Sequence, residues 1–249
     1  MPNILVGCCG WAVRGGKEAY YKQFRTIELQ ETFYKLPRVE TARKWREKAP
    51  DGFVFNMKAW QALTHPPTSP TWKRAGITVP KSKQHLYGNL KPSRENMEAW
   101  RKTVEIARAV DARVVVIQTP ASFGYSEENA ENAERFFANT VAEGFMLGWE
   151  PRGTWRDNGE EVRRICERYG VVHVVDVFRW KPVARHKIFY TRLHGIGKGE
   201  VNYSYRYTRE DLEKLREYVF EEMRRSEQGF ILFNNVSMAV DAEAFKRML

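Results

Sequence analysis

Eight short apolar runs recur along this 249-residue chain, and each of them stops at a polar or charged cluster. Segments with helical periodicity separate most of the runs, and a strict alternation of strand and helix predicts a parallel sheet. Eight such units favour closure into a barrel over an open sheet. We therefore predict an α/β fold, a (β/α)8 TIM barrel that occupies residues 1–249 as a single domain. The runs, in chain order, are ILVGCCGW, TIELQETF, FVFNMK, RVVVIQTP, FMLGWE, VVHVVD, IFYTRLH and FILFNN.

The length and the composition agree with this fold. A chain of 249 residues has the usual size of one (β/α)8 barrel and can bury a large core without disulfides. Cys8, Cys9 and Cys166 lack zinc-type spacing and are interpreted as small buried core residues. The sequence has no uninterrupted apolar stretch of about 18 residues and no secretory signal pattern. No membrane partner is therefore expected, and the expected location is cytoplasmic.

Helical periodicity marks five of the connecting segments and the segment that closes the chain. Ser126 is expected to cap the third of these helices and Gly144 to end it. Thr208 and Asp211 have the spacing of a capping box, with Asp in place of the usual Glu or Gln. The predicted helices cover residues 39–49, 93–110, 126–144, 157–170, 208–225 and 237–249.

Two connections depart from the regular pattern. Residues 60–92, after the third strand, form a long loop with five prolines, and loops of this length are usually functional or disordered. Trp60, Trp72 and Tyr87 within it predict an ordered loop that packs on the barrel. The link over residues 177–187 is too short for a full crossover helix, so at most one helical turn is expected between strands six and seven.

The polar residues at the strand ends are expected to share the inner side of the barrel. Because side chains alternate between the two faces of a strand, Glu28 opposes the apolar Ile27 and Leu29 and is expected to point to the barrel axis. Barrel enzymes build their sites at this C-terminal rim. The alternative is an internal ion-pair network that serves only the fold. The inward set comprises Glu28, Lys58, Glu150, Asp176, Arg192 and His194.

This inward set mixes carboxylates with cations, as burial requires, because an unpaired buried ion is very costly. The carboxylates and His194 would suit a divalent metal. The interleaved cations compete for the same carboxylates, however, so neither a metal nor another cofactor is expected. Lys58, Arg152 and Arg192 instead favour a small anionic ligand that carries a phosphate or a carboxylate.

Further candidates lie in the long loop and just after strand ends. His65 belongs to the long loop and is either a site residue or a turn-stabilising hydrogen bonder. Trp155, Tyr203 and Tyr207 follow strand ends, where aromatic rings either stack on a sugar or base or cover the polar core as lids. Asn234 and Asn235 end the eighth run, and Asn234 is a further candidate for ligand binding.

Five segments of the chain, in order, resemble the YecE-like family (domain of unknown function 72). They are VGCCGW, IELQETFYKLPRVETARKWREKAPDGFVFNMKAWQALTH, LGWEPRGTW, TRLHG and FNN, and the resemblance runs from residue 4 to about residue 244. It implies a (β/α)8 barrel related at fold level to endonuclease IV and to xylose-isomerase-like barrels. The polar residues that the family shares fall on Glu28, Lys58, His65, Glu150, Arg152, Trp155, Asp176, Arg192, His194 and Asn234.

The chain departs from the family pattern beside the first of these residues. Gln30 and Glu31 stand where the family usually has Asn and Ser, which adds a methylene at an inward position and a charge next to the site. The endonuclease-like relatives hold zinc with a cluster of His and carboxylate side chains. That full cluster is not found in this sequence, so the resemblance does not extend to nuclease activity.

The leading hypothesis is a metal-independent enzyme, a hydrolase or a lyase or isomerase, that acts on an anionic ligand at the rim. Glu28, Glu150, Asp176 and His194 would carry the acid–base chemistry. A second hypothesis is a nucleic-acid-binding or repair-related protein, because the net charge is +10 and the fold kinship points there. A third is a non-catalytic barrel that binds a metabolite. The oligomeric state is not predicted.

Overall fold

The computed structural model describes residues 3–140 and 144–249 and contains eight parallel strands in one sheet. Each strand falls within or next to one of the eight predicted apolar runs, which confirms the prediction. The strands are β1 (Asn3–Cys9), β2 (Thr26–Leu29), β3 (Val54–Lys58), β4 (Ala112–Gln118), β5 (Met146–Glu150), β6 (Val172–His173), β7 (Ile188–Leu193) and β8 (Gln228–Phe233).

The sheet closes on itself between its sixth and seventh strands. Its order is β6-β5-β4-β3-β2-β1-β8-β7, so β6 and β7 are its two ends. A parallel bridge between Val175 and Thr191 joins these ends, supported by the hydrogen bond from the Arg192 backbone N–H to the Val175 carbonyl at 2.8 Å. The fold is therefore a single-domain α/β barrel, as predicted. Its strand pairing is weakest beside β6, where one isolated bridge joins the two ends of the sheet.

The predicted helices are confirmed, with ends within a few residues of those expected. Thr208 and Asp211 form the capping box of the eighth helix, and the Ser126 hydroxyl accepts the Asn129 backbone N–H at 3.1 Å. Residues 141–143 of the predicted third helix lie outside the described residues. The helices are α1 (Gly16–Gln23), α2 (Glu31–Tyr34), α3 (Val39–Lys48), α4 (Pro70–Arg74), α5 (Arg94–Ala109), α6 (Glu127–Thr140), α7 (Gly159–Tyr169), α8 (Arg209–Met223) and α9 (Met238–Lys246).

Helix α1 was missed by the sequence patterns because it carries little apolar periodicity. Tyr20 is its single buried residue, so the helix has no continuous apolar stripe to detect. The Tyr20 hydroxyl donates to the Thr26 carbonyl at 2.9 Å and accepts the Cys8 backbone N–H at 2.8 Å. One buried tyrosine thus ties α1 to both β1 and β2.

The long loop after β3 is ordered, as predicted. It contains the short helix α4 and two 3₁₀ turns, and Trp72 within it is only 2% exposed. The Trp72 indole N–H donates to the His65 carbonyl at 3.0 Å, which anchors the segment that carries His65. The link over residues 177–187 contains turns and no helix, which confirms the second prediction about the connections.

Alternation along the strands separates two cores, as expected. Cys9 lies inside the barrel, whereas Cys8 lies in the core between sheet and helices. Apolar side chains fill the lower part of the barrel interior, and the polar rim lies above them. The buried apolar residues of the interior are Cys9, Val114, Val116, Val172, Val174, Ile188, Tyr190, Phe230 and Leu232.

Gly7 is the point of closest approach between β1 and β2. A Cβ atom on Gly7 would lie 2.3 Å from the Thr26 carbonyl oxygen, which is part of the backbone and cannot move aside cheaply. We expect Gly7→Ala to lower the free energy of unfolding by about 1–3 kcal/mol, as overpacking does elsewhere. Gly159→Ala, whose Cβ would meet Val183 at 3.5 Å, is the control and should change it little. Urea unfolding followed by circular dichroism measures both, and an unchanged midpoint for Gly7→Ala would contradict the prediction.

No helix within residues 3–140 and 144–249 is long and apolar enough to cross a membrane.

Candidate active site

Arg192 lies at the centre of the rim, where β7 faces β2 and β5. Its side chain is 1% exposed, and its Nε lies 3.0 Å from both carboxylate oxygens of Glu28. Its Nη1 donates to Glu150 Oε2. Tyr190, one inward position below, donates its hydroxyl to Glu28 Oε2 at 2.8 Å. Burial by itself disfavours the cation, but Glu28 and Glu150 together raise the pKa of Arg192 well above its usual value.

Glu150 is held between two guanidinium groups. Arg152 Nε and Nη2 lie 2.8 Å and 2.7 Å from Glu150 Oε1, while Arg192 occupies the other oxygen. Burial raises the pKa of Glu150, but the charges of Arg192 and Arg152 outweigh it and hold the pKa well below its usual range. Glu150 is therefore ionised at every physiological pH, which makes it a positioning anion and a poor proton carrier.

His194 and Asp176 form a second polar pair at the ends of β6 and β7. Asp176 Oδ2 accepts the backbone N–H of His194 at 2.9 Å and lies 3.6 Å from its Nδ1. His194 Nε2 lies 3.3 Å from Arg152 Nη2. Burial lowers the pKa of His194, against an opposing effect of Asp176. The imidazole is therefore neutral near pH 7 and can accept or relay a proton.

Lys58 differs from the other rim cations because it has no carboxylate partner among the described residues. Its side chain is 8% exposed, and its Nζ lies 3.7 Å from the centre of the Phe33 ring. Burial, followed by the charges of Arg192 and Arg152, lowers the pKa of Lys58 to about 7. The ring contact favours the ammonium form. Near pH 7 the side chain is thus present as both amine and ammonium.

His65 reaches the same corner of the rim from the long loop. Its ring packs edge-on against Phe33 with 5.0 Å between the centroids, and its Nδ1 lies 2.8 Å from the Thr64 hydroxyl. Burial, followed by the charges of Lys58 and Arg152, lowers the pKa of His65 to about 3. The imidazole of His65 is consequently neutral near pH 7, and it offers a hydrogen-bonding group next to Lys58.

A polar cleft lies at the ends of β5 and β6, and Glu150, Arg152, Asp176 and His194 are the rim candidates that line it. Arg179 and Arg152 both line this cleft, and Arg179 Nε lies 3.5 Å from Asp176 Oδ2. Within residues 3–140 and 144–249, no group of three or more His, Cys, Asp or Glu side chains is arranged to hold a metal ion. The cleft is lined by Glu150, Pro151, Arg152, Gly153, Arg156, Val174, Val175, Asp176, Arg179, Trp180, His194 and Glu200.

Four sequence candidates lie outside this cluster or at its margin. Trp155 is 0% exposed, donates its indole N–H to the Phe123 carbonyl at 2.6 Å and packs on Trp149, which corrects the expectation that it stacks on a ligand. Tyr207 is also buried, and its hydroxyl accepts the Gly195 backbone N–H at 2.8 Å. Tyr207 is therefore part of the core beneath the rim.

Tyr203 and Asn234 remain at the margin of the rim. Tyr203 is 47% exposed, and its ring centre lies 6.0 Å from that of His194. Asn234 is half-buried, and its backbone N–H donates to the Leu193 carbonyl at 2.9 Å. The Asn234 side chain has no hydrogen bond to the part of the chain that the structure describes. Both side chains are therefore accessible to a ligand that enters the rim.

Sequence reasoning missed the residues that support the candidates from β2 and α2. Thr32 donates its hydroxyl to the Lys58 carbonyl at 2.6 Å and lies 2.9 Å from the Leu29 carbonyl, so it joins the ends of two strands. Gln30, noted as a departure from the family pattern, donates to Glu28 Oε1. Phe33 lies under Lys58. The T-F-Y motif at the end of the second run was the available signal.

These features define the protein as an eight-stranded α/β barrel with an ionised site at its C-terminal rim. The chain belongs to the family described as protein of unknown function DUF72, whose model matches residues 5–249. UPF0759 protein YunF of Bacillus subtilis (strain 168) is 23% identical over 294 residues, which cover 99% of this chain and 93% of that protein.

Solved structures agree with this assignment. The crystal structure of a DUF72 family protein from Thermotoga maritima is 26% identical, covers 99% of this chain and 98% of that chain, and superposes with a TM-score of 0.73. A D-tagatose 3-epimerase-like protein is 15% identical, covers 100% of this chain and 96% of that chain, and has a TM-score of 0.56. That second likeness shows the fold alone.

Proposed function

We propose that the protein is an enzyme that transfers protons on a small anionic ligand bound at the C-terminal rim. The observation that carries this proposal is Lys58, a buried amine without a carboxylate partner among the described residues. Its pKa of about 7 supplies both a base and an acid near neutral pH. In this proposal Lys58 moves the proton, His194 is its neutral partner, and Asp176 orients His194.

The charges of the rim support an anionic ligand. The rim carries three cations, on Lys58, Arg152 and Arg192. Two carboxylates oppose them, those of Glu28 and Glu150, because the carboxylate of Asp176 pairs with Arg179. The excess cation is Lys58, and a phosphate or carboxylate of the ligand would balance it. Such an anion would also favour the ammonium form of Lys58, so binding is coupled to proton uptake and weakens as the pH rises above about 7.

The roles of the two glutamates change in this proposal. Glu28 and Glu150 were expected to carry acid–base chemistry, but their oxygens are engaged by Arg192, Arg152 and neighbouring donors. We assign them the task of holding the two guanidinium groups in place. The likeness to a D-tagatose 3-epimerase-like protein favours sugars as the first ligands to screen, and the rim cations favour those that carry a phosphate or a carboxylate.

Anion binding tests this proposal directly. Isothermal titration at pH 7 with inorganic phosphate, sugar phosphates and sugar acids is expected to show binding and uptake of about half a proton per ligand. Lys58→Met and Arg152→Met should each weaken binding about tenfold or more, which corresponds to about 1.4 kcal/mol. Arg135→Met on the outer face of α6, where the arginine side chain is 61% exposed, is the matched control and should bind as the wild type does.

Two results would count against the proposal. Equal binding by the wild type and by both rim variants would place the anion elsewhere. Tight retention of a ligand that is never converted would favour the non-catalytic barrel.

Duplex DNA belongs in the same series, since a steep fall of binding with added salt would favour the nucleic-acid hypothesis. Against that hypothesis, several arginines on the outer helices pair with neighbouring glutamates, as in Arg163–Glu160 and Arg209–Glu213.

A further inference from the structure

The Lys58 amine is enclosed by groups from several elements, and none of the described ones is a carboxylate in contact with it. Phe33 from α2 covers one side, with 3.7 Å from Nζ to the ring centre. His65 from the long loop packs against the same ring. Arg192 of β7 and Arg152 after β5 are the cations that act on it, and Glu28 and Glu150 are the anions that oppose them. Desolvation together with neighbouring cations is the environment that makes a lysine nucleophilic.

The backbone that carries Lys58 is held rigidly. Thr32 donates its hydroxyl to the Lys58 carbonyl at 2.6 Å, and the next residue, Ala59, donates its N–H to the Val116 carbonyl at 3.0 Å. The stem of the side chain emerges from the end of β3 next to the rim arginines. A nucleophile that must meet an electrophile at a set position benefits from such a fixed base, because little ordering remains to be done on reaction.

We propose that Lys58 forms a covalent imine with a carbonyl group of the ligand, so that the ligand is a small aldehyde or ketone that carries a phosphate or a carboxylate. This inference rests on the proposed function and specifies its substrate class. Arg152, which borders the polar cleft, would bind the anionic end, and the carbonyl end would lie at Lys58.

The step balances without an oxidant or a reductant. The nitrogen lone pair attacks the carbonyl carbon, and the electrons of the C=O π bond move to oxygen, which gives a carbinolamine. The two hydrogens of the amine leave with that oxygen as water, and a C=N bond replaces the C–O bonds. Uptake of one proton from solvent gives the iminium ion. The negative charge of the ligand compensates this cation beside Arg152 and Arg192, which an uncharged carbonyl compound could not do.

Reductive trapping tests the inference on the whole protein. Dihydroxyacetone phosphate and 2-oxobutanoate serve as anionic probes, uncharged dihydroxyacetone as the comparison, and sodium cyanoborohydride reduces any imine to a stable secondary amine. At pH 7.5 an ordinary exposed lysine is only about 0.1% neutral. We therefore expect peptide mass spectrometry to find Lys58 labelled at least about tenfold faster than the surface lysines by an anionic probe.

The controls separate this inference from general lysine chemistry. Lys58→Arg keeps the positive charge and should lose the fast adduct, whereas Lys102→Met, at an exposed position on α5, should keep it. Inorganic phosphate should slow labelling of Lys58 and leave surface labelling unchanged. Labelling spread evenly over the lysines, with no enrichment at Lys58, would overturn the inference. Because the mapping is done on the wild-type protein, this outcome can be read even if a variant fails to fold.

The outcome also separates this inference from the proposed function. Anion binding that depends on Lys58 and Arg152, without an adduct at Lys58, would overturn imine formation and leave proton transfer on an anionic ligand standing. Loss of both signals would overturn both proposals. A saturable adduct at Lys58 that only the anionic probes produce would support both of them.

Discussion

Replacing Arg192 with methionine is expected to lower the free energy of unfolding by about 3–5 kcal/mol at pH 7. The guanidinium is 1% exposed and bonds Glu28 and Glu150 at once, so its loss leaves two buried carboxylates without their shared cation. Methionine fills much of the same volume but cannot compensate charge. The expected fall in the melting temperature is about 6–20 °C for a chain of this size.

The effect should depend on pH in a defined direction. In the wild type the depressed pKa of Glu150 contributes stability above its ordinary pKa of 4.5, and this contribution is lost as the pH falls. The difference between wild type and Arg192→Met should therefore shrink at acidic pH. Adding Glu28→Gln and Glu150→Gln should recover much of the loss at pH 7. Urea unfolding at pH 7 and pH 4.5 measures these changes, and a loss below about 1 kcal/mol at pH 7 would contradict the prediction.

Replacing Lys58 with methionine is expected to stabilise the fold by about 1–4 kcal/mol at pH 6.5 while weakening ligand binding. The pKa of Lys58 is lowered from 10.5 to about 7 in the folded chain, so protons bind the unfolded chain more tightly. The stability of the wild type therefore rises as the pH increases from about 7 towards 10.5. The gain from Lys58→Met should be largest at pH 6.5 and smaller at pH 9.5.

Paired unfolding curves of wild type and Lys58→Met at pH 6.5 and pH 9.5 measure this gain. The control is Lys102→Met, whose lysine side chain is 55% exposed and whose effect should stay within about 0.5 kcal/mol at both pH values. A Lys58→Met variant less stable than the wild type at pH 6.5 would show that the amine supports the fold. Lys58 would then be a structural cation, and its place in the proposed chemistry would be lost.

The strands were predictable because a buried parallel strand leaves a simple record in sequence. Each run is short and apolar, since both faces of such a strand are covered, and it stops where the chain meets the polar rim. Helix α1 left no comparable record, because Tyr20 is its single buried residue and its contribution is a pair of hydrogen bonds. Closure through Val175 and Thr191 likewise depends on how far β6 extends, which no local pattern encodes.

The inward orientation of four rim residues followed from alternation along the strands. Glu28, Lys58, Glu150 and Arg192 point into the barrel, as the period of two requires. The sequence left the place of Trp155 open, because a tryptophan after a strand end has the same sequence context whether it lies on the rim or under it. The structure places it in the core, where the Phe123 carbonyl accepts its indole N–H.

The sequence alone determined that eight parallel strands would bring a mixed set of charges to one end of the barrel. Side-chain periodicity and the cost of burying unpaired ions are local or compositional rules, and both can be applied to an amino-acid sequence without a structure. Only the tertiary structure decided which charge pairs with which. Arg192 and Arg152 both form ion pairs with Glu150, and Arg192 also pairs with Glu28. Lys58 instead contacts the ring of Phe33. Pairing depends on distances of a few ångströms between residues far apart in the chain, and it is this pairing that turns Lys58 from one of several rim cations into the candidate reactive group.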